Sequence, residues 1–136
     1  MNLVLMGLPG AGKRTHAKKL SDKYGMYHLS SGKLIRRMAQ QNTTLGTTVK
    51  RYINQGKLVP NDIVVTLIEQ KIFKLHDKDL VFDGFPRSLG QVKLLEKIME
   101  EIGQKIDLCI HLKVTKKNLI KRLTGRRVCT RDDTIY

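Results

Sequence analysis

Long apolar runs, tryptophan and a dense set of cysteines are missing from this chain of 136 residues. Because no stretch is long or apolar enough to cross a bilayer, we expect no membrane segment. The apolar run at residues 3–6 is too short for a secretion signal and follows no basic stretch, so we expect a cytoplasmic protein. The two cysteines, Cys109 and Cys129, do not make a disulfide framework, and we expect Cys109 to be a small buried side chain.

Acidic residues are also scarce, because 12 Asp and Glu stand against 26 Lys and Arg, and the formal net charge is +14. Such a balance is typical of proteins that bind nucleic acid. Aromatic residues make up only 5% of the chain, however, so platforms for stacking bases are few. A cleft that binds several nucleotide phosphates also needs positive charge. We therefore expect nucleotides as partners and do not expect nucleic acid, keeping an RNA-binding protein as the alternative.

The patterning predicts one α/β domain without repeats. Apolar runs predict strands at residues 2–6, 26–29, 80–83 and 106–112. Helical patterns cover residues 13–24, 33–40, 45–55, 61–75, 88–102 and 116–123, with Gly25 as a helix stop. The predicted helix caps are Ser30 or Ser31, Asn61 or Asp62, and Thr115. This alternation indicates a parallel sheet with helices on both faces, whose ligands bind beyond the carboxyl ends of the strands.

The most specific motif lies between the first strand and the first helix. A glycine-rich turn over residues 7–12 leads into Lys13, with the spacing of a phosphate-binding loop. Glycines let the backbone wrap closely around an anion, and the following helix adds the positive end of its dipole. Lys13 can then reach the β- and γ-phosphates. An ordinary turn with a solvated Lys13 is the alternative, and the strand and helix on either side disfavour it.

Five segments, in order along the chain, resemble the adenylate kinase family or a closely related nucleoside-monophosphate kinase. They are GLPGAGKRT from Gly7, LSSGKLIRR from Leu29, GKLVP from Gly56, DGFPRSLGQ from Asp83 and RLTGRR from Arg122. The resemblance covers essentially the whole chain. It implies a P-loop fold with a core over residues 1–29 and 60–125, an AMP-binding helical arm over 30–59, and the start of an incomplete lid over 126–136.

The resemblance also implies the reaction ATP + AMP = 2 ADP with magnesium, and it assigns residues to that reaction. ATP is expected to contact Gly10, Ala11, Gly12, Lys13, Arg14, Thr15, Arg122 and Arg126. AMP is expected to contact Ser31, Arg36, Lys57, Leu58, Val59, Gly84, Phe85, Pro86, Arg87 and Gln91. The expected catalytic residues are Lys13, Arg87, Arg122 and Arg126, and Asp83 is expected to bind magnesium through water.

Simpler interpretations compete with several of these roles. Guanidinium groups suit phosphate oxygens at Arg36 and Arg87, whereas Arg37 matches no family residue and is read as surface charge. Gln91 matches the residue that reads adenine, and without the preceding motif it would be an exposed helix residue. Asp83 could be a turn aspartate, but its place at a strand end beside the phosphate loop favours a metal ligand.

The sequence departs from the family's pattern at several positions. Arg14 replaces a glycine of the loop, and Lys33 stands where the family has an aspartate near the metal's water shell. Cys129, with only Asp132 close by, lacks a second cysteine, so we predict no structural zinc.

The sequence ends within what would be the lid. A nucleotide-binding fragment or paralogue without catalysis is therefore the first alternative to an adenylate kinase. A UMP/CMP-type kinase is the second, although Gln91 favours adenine. We expect a monomer.

Overall fold

The computed structural model describes residues 1–127 and 129–131. The strands in this part of the chain are β1 (Leu3–Met6), β2 (Tyr27–Ser30), β3 (Leu80–Asp83) and β4 (Leu108–His111). The helices are α1 (Lys13–Tyr24), α2 (Ser31–Ala39), α3 (Thr44–Asn54), α4 (Asn61–Lys74), α5 (Leu89–Glu101) and α6 (Lys116–Gly125). None of these described helices has the length and apolar character needed to cross a bilayer.

The strands form one parallel sheet in the order β2-β3-β1-β4, which confirms the predicted sheet. Asp83 pairs with Leu5 on one side and with Ser30 on the other. Because the strands run in the same direction, the segments that follow β1, β2 and β3 meet at a single edge of the sheet. This edge is the one at which the sequence predicts ligands.

The core lies on both faces of the sheet, as predicted. On one face, Leu3, Leu5 and Val81 pack with Ala17 of α1. On the other face, β1, β2 and β3 pack against α4 and α5, through Val4, Leu29, Leu80, Phe82, Ile68, Ile72, Leu95, Ile98 and Met99. Successive strand residues point to opposite faces, so these short strands supply apolar side chains to both layers.

A buried asparagine joins the strands at their amino-terminal ends, opposite the end at which ligands are predicted. Asn2 is 3% exposed, and its Oδ1 accepts a 3.0 Å hydrogen bond from the Leu80 N–H. Its Nδ2 donates to Gln104 Oε1 at 2.8 Å and to the Lys105 carbonyl at 2.9 Å. The side chain therefore fixes the start of β3 to the segment before β4, leaving the carboxyl edge free for loops.

Helix boundaries agree with the sequence to within one or two residues, but one predicted cap is wrong. Ser30 and Thr115 cap α2 and α6 with their side chains, as expected. Neither Asn61 nor Asp62 caps α4, because the helix already begins at Asn61 and Pro60 holds the cap position. The Pro60 carbonyl accepts the first helical hydrogen bonds, which places Asn61 inside the first turn.

The expectation that Cys109 is buried is also wrong, since its side chain is exposed. β4 is an edge strand, and the core beneath α4 and α5 takes its strand residues from β1, β2 and β3. Cys109 thus lies on a part of the sheet that these helices do not reach, and its neighbour Leu108 is 54% exposed.

Candidate functional site

The loop between β1 and α1 adopts backbone conformations that favour glycine. Gly10 and Gly12 have φ angles of +85° and +95°. A Cβ on Gly7 would lie 2.8 Å from the Leu112 carbonyl oxygen, so the chain turns there in close contact with the segment after β4. Gly12 occupies the cap position of α1 without a side-chain cap, and the first N–H groups of the helix therefore face the loop as potential anion donors.

Lys13 folds back over this loop. Its Nζ donates hydrogen bonds to the carbonyl oxygens of Gly7 at 2.7 Å and Leu8 at 3.1 Å. Burial lowers the pKa of the Lys13 ammonium below its ordinary value of 10.5, the Asp83 carboxylate opposes this, and the guanidinium groups of Arg87 and Arg126 add to the lowering. The loop thus already gathers positive charge, which an anion would stabilise.

Asp83 ends β3 beside this loop, and its side chain is 9% exposed. Its Oδ2 lies 3.1 Å from Nε2 of His28 on β2, a residue that the sequence analysis missed. A single carboxylate suits Mg²⁺, which keeps several waters and is completed by substrate phosphates. No group of three or more potential ligands from His, Cys, Asp or Glu occurs among the described residues. The carboxylate of Asp83 is chemically suited to a magnesium ion that a nucleotide brings with it.

A second group of polar side chains surrounds the turn after β3. The Gly84 carbonyl accepts hydrogen bonds from Ser31 Oγ at 2.9 Å and from Arg87 Nε at 2.7 Å. Gly84 has a φ of +81°, and a Cβ there would lie 2.6 Å from Ser31 Oγ. Phe85 is 1% exposed, and the bond to Pro86 is cis. The buried ring anchors the turn, so that Arg87 is held beside the start of α2.

Gln91 lies in the first turn of α5, which Ser88 caps through the Gln91 N–H. Its Oε1 accepts a 2.7 Å bond from the backbone N–H of Arg87, and its Nε2 donates a 2.5 Å bond to Oδ1 of Asn61. The sequence analysis named Asn61 only as a possible helix cap and missed this contact, because 30 positions separate Asn61 from Gln91 and no local pattern links the two.

Four further candidate residues lie near the loop between β1 and α1. Arg122 on α6 donates a 3.4 Å bond from Nη1 to the Gly10 carbonyl, and Arg126 follows α6 close enough to affect the pKa of Lys13. Arg14 is half-buried and Thr15 exposed at the start of α1. These residues belong with the loop.

The predicted AMP-binding arm is more spread out. The Arg36 guanidinium lies near Gly32, since a Cβ on that glycine would be 3.1 Å from Arg36 Nη1. Lys57 and Leu58 are exposed between α3 and α4, and Val59 is half-buried. Leu58, at 89% exposure, is not drawn into the grouped residues. Part of the predicted lid over 126–136, including Asp132, lies outside the described residues.

The known proteins that this chain resembles are adenylate kinases. A family model described as adenylate kinase matches residues 5–135. The chain is 43% identical to the adenylate kinase of Bacillus velezensis and 42% identical to that of Bacillus subtilis, in each case over 100% of this chain and 63% of the relative. It is 37% identical to the adenylate kinase of Archaeoglobus fulgidus over the same shares. The chain therefore spans a little under two thirds of the length of these relatives.

Proposed function

The chain belongs to the adenylate kinase family, and from that premise we propose that it binds ATP and AMP and catalyses the reversible reaction ATP + AMP = 2 ADP. One observation supports the proposal: two cationic side chains lie at a single edge of the sheet. Lys13 follows β1 and Arg87 follows β3, and the two cations lie close enough for Arg87 to lower the pKa of Lys13. Such an arrangement suits the triphosphate of ATP and the single phosphate of AMP, which must react with each other.

The ATP half of the site is the loop over residues 7–12 with the start of α1. The backbone N–H groups around Gly10, Ala11 and Gly12 would hold the β- and γ-phosphates, helped by the helix dipole. Lys13 would exchange its bonds to loop carbonyls for bonds to phosphate. Thr15, Arg14, Arg122 and Arg126 would complete the set of ATP contacts from the start of α1 and from the end of α6.

The AMP half is built on the turn after β3. Arg87 would bind the AMP phosphate together with Arg36, since guanidinium groups match phosphate oxygens in fork-like pairs. Ser31, Gly84, Phe85 and Pro86 would shape this half of the site, and Gln91 would read the base. The exposed segment of Lys57, Leu58 and Val59 would contact AMP chiefly through its backbone, after the arm over residues 30–59 closes.

Magnesium, when bound with ATP, would neutralise charge on the β- and γ-phosphates. Asp83 would hold it through a bound water, with the second carboxylate oxygen kept in place by His28 at 3.1 Å. The chemistry requires no nucleophile from the protein, because an AMP phosphate oxygen attacks the terminal phosphate of ATP in line. Lys13, Arg87, Arg122 and Arg126 would position the two anions and stabilise the charge that spreads during transfer.

A nucleotide-binding protein without catalysis is the second candidate, and specific residues favour it. Arg14 is half-buried at the start of α1, and Lys33 is exposed in the first turn of α2. The resemblance places a glycine at the first of these positions and an acidic residue near the metal's water shell at the second. Added positive charge at both places would weaken magnesium binding while leaving the phosphate-binding loop intact.

Other features of the proposal follow from the same assignment. An adenylate kinase of this kind would act as a monomer in the cytoplasm, within nucleotide biosynthesis. A UMP/CMP-type kinase is the enzymatic alternative, and the amide at Gln91 is the feature that favours adenine over a pyrimidine.

A coupled assay of ADP formation tests the proposal. Purified chain is mixed with ATP, magnesium and one of AMP, GMP, CMP or UMP, and circular dichroism establishes that the protein is folded. We expect ADP to form with AMP as the preferred acceptor. Preference for CMP or UMP would support the pyrimidine-kinase alternative, and nucleotide binding without turnover would support the non-catalytic one.

A further inference from the structure

The side-chain amide of Gln91 has one orientation in this structure, and a backbone group determines it. The Arg87 N–H that lies 2.7 Å from Gln91 is a donor only, so the amide must turn its oxygen toward it. The amide nitrogen then points the other way, toward Asn61, at 2.5 Å. Because that nitrogen is also only a donor, Asn61 must present its oxygen. One backbone N–H thereby sets the polarity of both amides.

Asn61 is well placed to hold the amide from its second side. It is the first residue of α4 and directly follows residues 57–60, so it joins the end of the proposed AMP-binding arm to the first turn of α5. Rotation of the Gln91 amide by half a turn would oppose the Arg87 N–H with a second donor. Movement of the amide away from Arg87 would break the bond to Asn61 as well. The Arg87 N–H therefore opposes reversal of the amide, and the bond to Asn61 keeps the amide in place beside Arg87.

The amide held in this way still has hydrogen-bonding capacity. No other side-chain partner of the Gln91 amide occurs among residues 1–127 and 129–131, so one lone pair of Oε1 and one N–H of Nε2 remain. An acceptor beside a donor matches adenine, which presents an exocyclic amino group next to a ring nitrogen. A 6-oxopurine presents a carbonyl in place of the amino group, and it would need the reversed amide.

We propose that Asn61 is a positioning residue, which strengthens the selection of a 6-aminopurine nucleoside monophosphate over its 6-oxo analogue by anchoring the Gln91 amide in the orientation that the Arg87 N–H sets. The inference rests on the proposed function, in which Gln91 reads the base. Asn61 acts here as a positioning residue through Gln91 and makes no contact of its own with the base. Discrimination between the two bases then depends on a residue of α4 as well as on Gln91 of α5.

Calorimetric titration of the 136-residue chain with AMP and with inosine monophosphate tests this inference. The quantity of interest is the ratio of the two affinities in the unsubstituted chain, in Asn61→Leu and in Asn61→Asp. Leucine removes the acceptor at similar size, whereas aspartate keeps an acceptor and cannot present a donor. Asn61 is exposed and makes no cap bond, so both variants should fold.

We expect Asn61→Leu to reduce the preference for AMP by roughly three- to ten-fold, the worth of one neutral hydrogen bond. Asn61→Asp should keep or increase the preference. An unchanged ratio in Asn61→Leu, or an equal reduction in both variants, would overturn the inference while leaving AMP binding and the proposed function intact. If the unsubstituted chain bound neither nucleotide, the proposed function itself would fail, and this inference with it.

Discussion

The hydroxyl of Ser31 donates a 2.9 Å hydrogen bond to the carbonyl oxygen of Gly84, which ties the first residue of α2 to the turn after β3. Arg87 shares the same acceptor at 2.7 Å. Three residues proposed to contact AMP are thus joined by hydrogen bonds to one carbonyl. The arrangement depends on a residue without a side chain at position 84.

Gly84→Ala is the first prediction. The new Cβ would lie 2.6 Å from Ser31 Oγ, and the φ of +81° would be strained. Gly25→Ala is the matched control, because Gly25 has a φ of +66° but nothing within 4 Å of an added Cβ. We expect Gly25→Ala to cost about 1–2 kcal/mol in the free energy of unfolding by urea. Gly84→Ala should cost more and weaken AMP binding; equal losses with unchanged AMP affinity would contradict the close packing.

Asn2→Ala is the second prediction, and it concerns stability alone. Removing the side chain leaves the buried Leu80 N–H and the Lys105 carbonyl without their partner. We expect a loss of about 2–3 kcal/mol in urea unfolding, because each orphaned group keeps its desolvation cost. Asn118→Ala, at an exposed site on α6, should change stability by less than about 0.5 kcal/mol. Similar losses in both variants would remove Asn2 from its structural role.

Local patterns predicted most of the fold. The start of α1 at Lys13 and the whole of β3 agree with the sequence to the residue, because a glycine turn and a run ending in Asp83 are local signals. Cys109 was misjudged because an apolar run indicates a strand but not its position in the sheet. Strand order is a property of the whole chain, and it alone places β4 at the edge.

The candidate site divides in the same way. Gly84 and Arg87 were predicted as site residues from the resemblance, because both belong to one of its motifs. His28 and Asn61 were not, since each contacts a partner on another element, 55 and 30 positions away. Such contacts depend on the parallel register of β2 with β3 and on the approach of α4 to α5, which no periodicity encodes.

The third prediction uses the lowered pKa of Lys13. Between that lowered pKa and 10.5, Lys13 is partly neutral in the free protein, and bound phosphate should restore its charge. We expect ATP binding to take up protons in this alkaline window, measured by calorimetry in buffers of different ionisation enthalpy. Lys13→Arg should abolish the uptake, because arginine stays charged. Identical uptake in both proteins would assign the effect to another group.

The same shift has a consequence for stability. In this window the unfolded chain keeps a proton that the folded chain has partly lost. The contribution of Lys13 to the free energy of unfolding should therefore rise with pH between its lowered pKa and 10.5. Below the lowered pKa both states are protonated, and the contribution should be constant.

Asp83→Asn is the fourth prediction. The amide has the shape of the carboxylate but cannot hold a magnesium-bound water as strongly. We expect the gain in ATP affinity on adding magnesium to fall by roughly ten-fold or more. Metal-free ATP should bind more tightly, because a negative charge beside the phosphates is removed. Asp22→Asn, exposed on α1, is the control. Parallel weakening with and without magnesium would indicate damage to the fold and contradict the metal role.

The most direct test of the account is a full nucleotide balance, with ATP, AMP, ADP and inorganic phosphate separated and counted as the reaction proceeds. We expect AMP and ATP to be consumed together and two ADP to appear for each AMP. Lys13→Met should remove about 3 kcal/mol or more of transition-state stabilisation and slow the reaction accordingly. Lys19→Met, at an exposed position on the same helix, should leave the rate unchanged. Folded protein that binds both nucleotides without forming ADP, or that releases phosphate from ATP while AMP is untouched, would contradict the account.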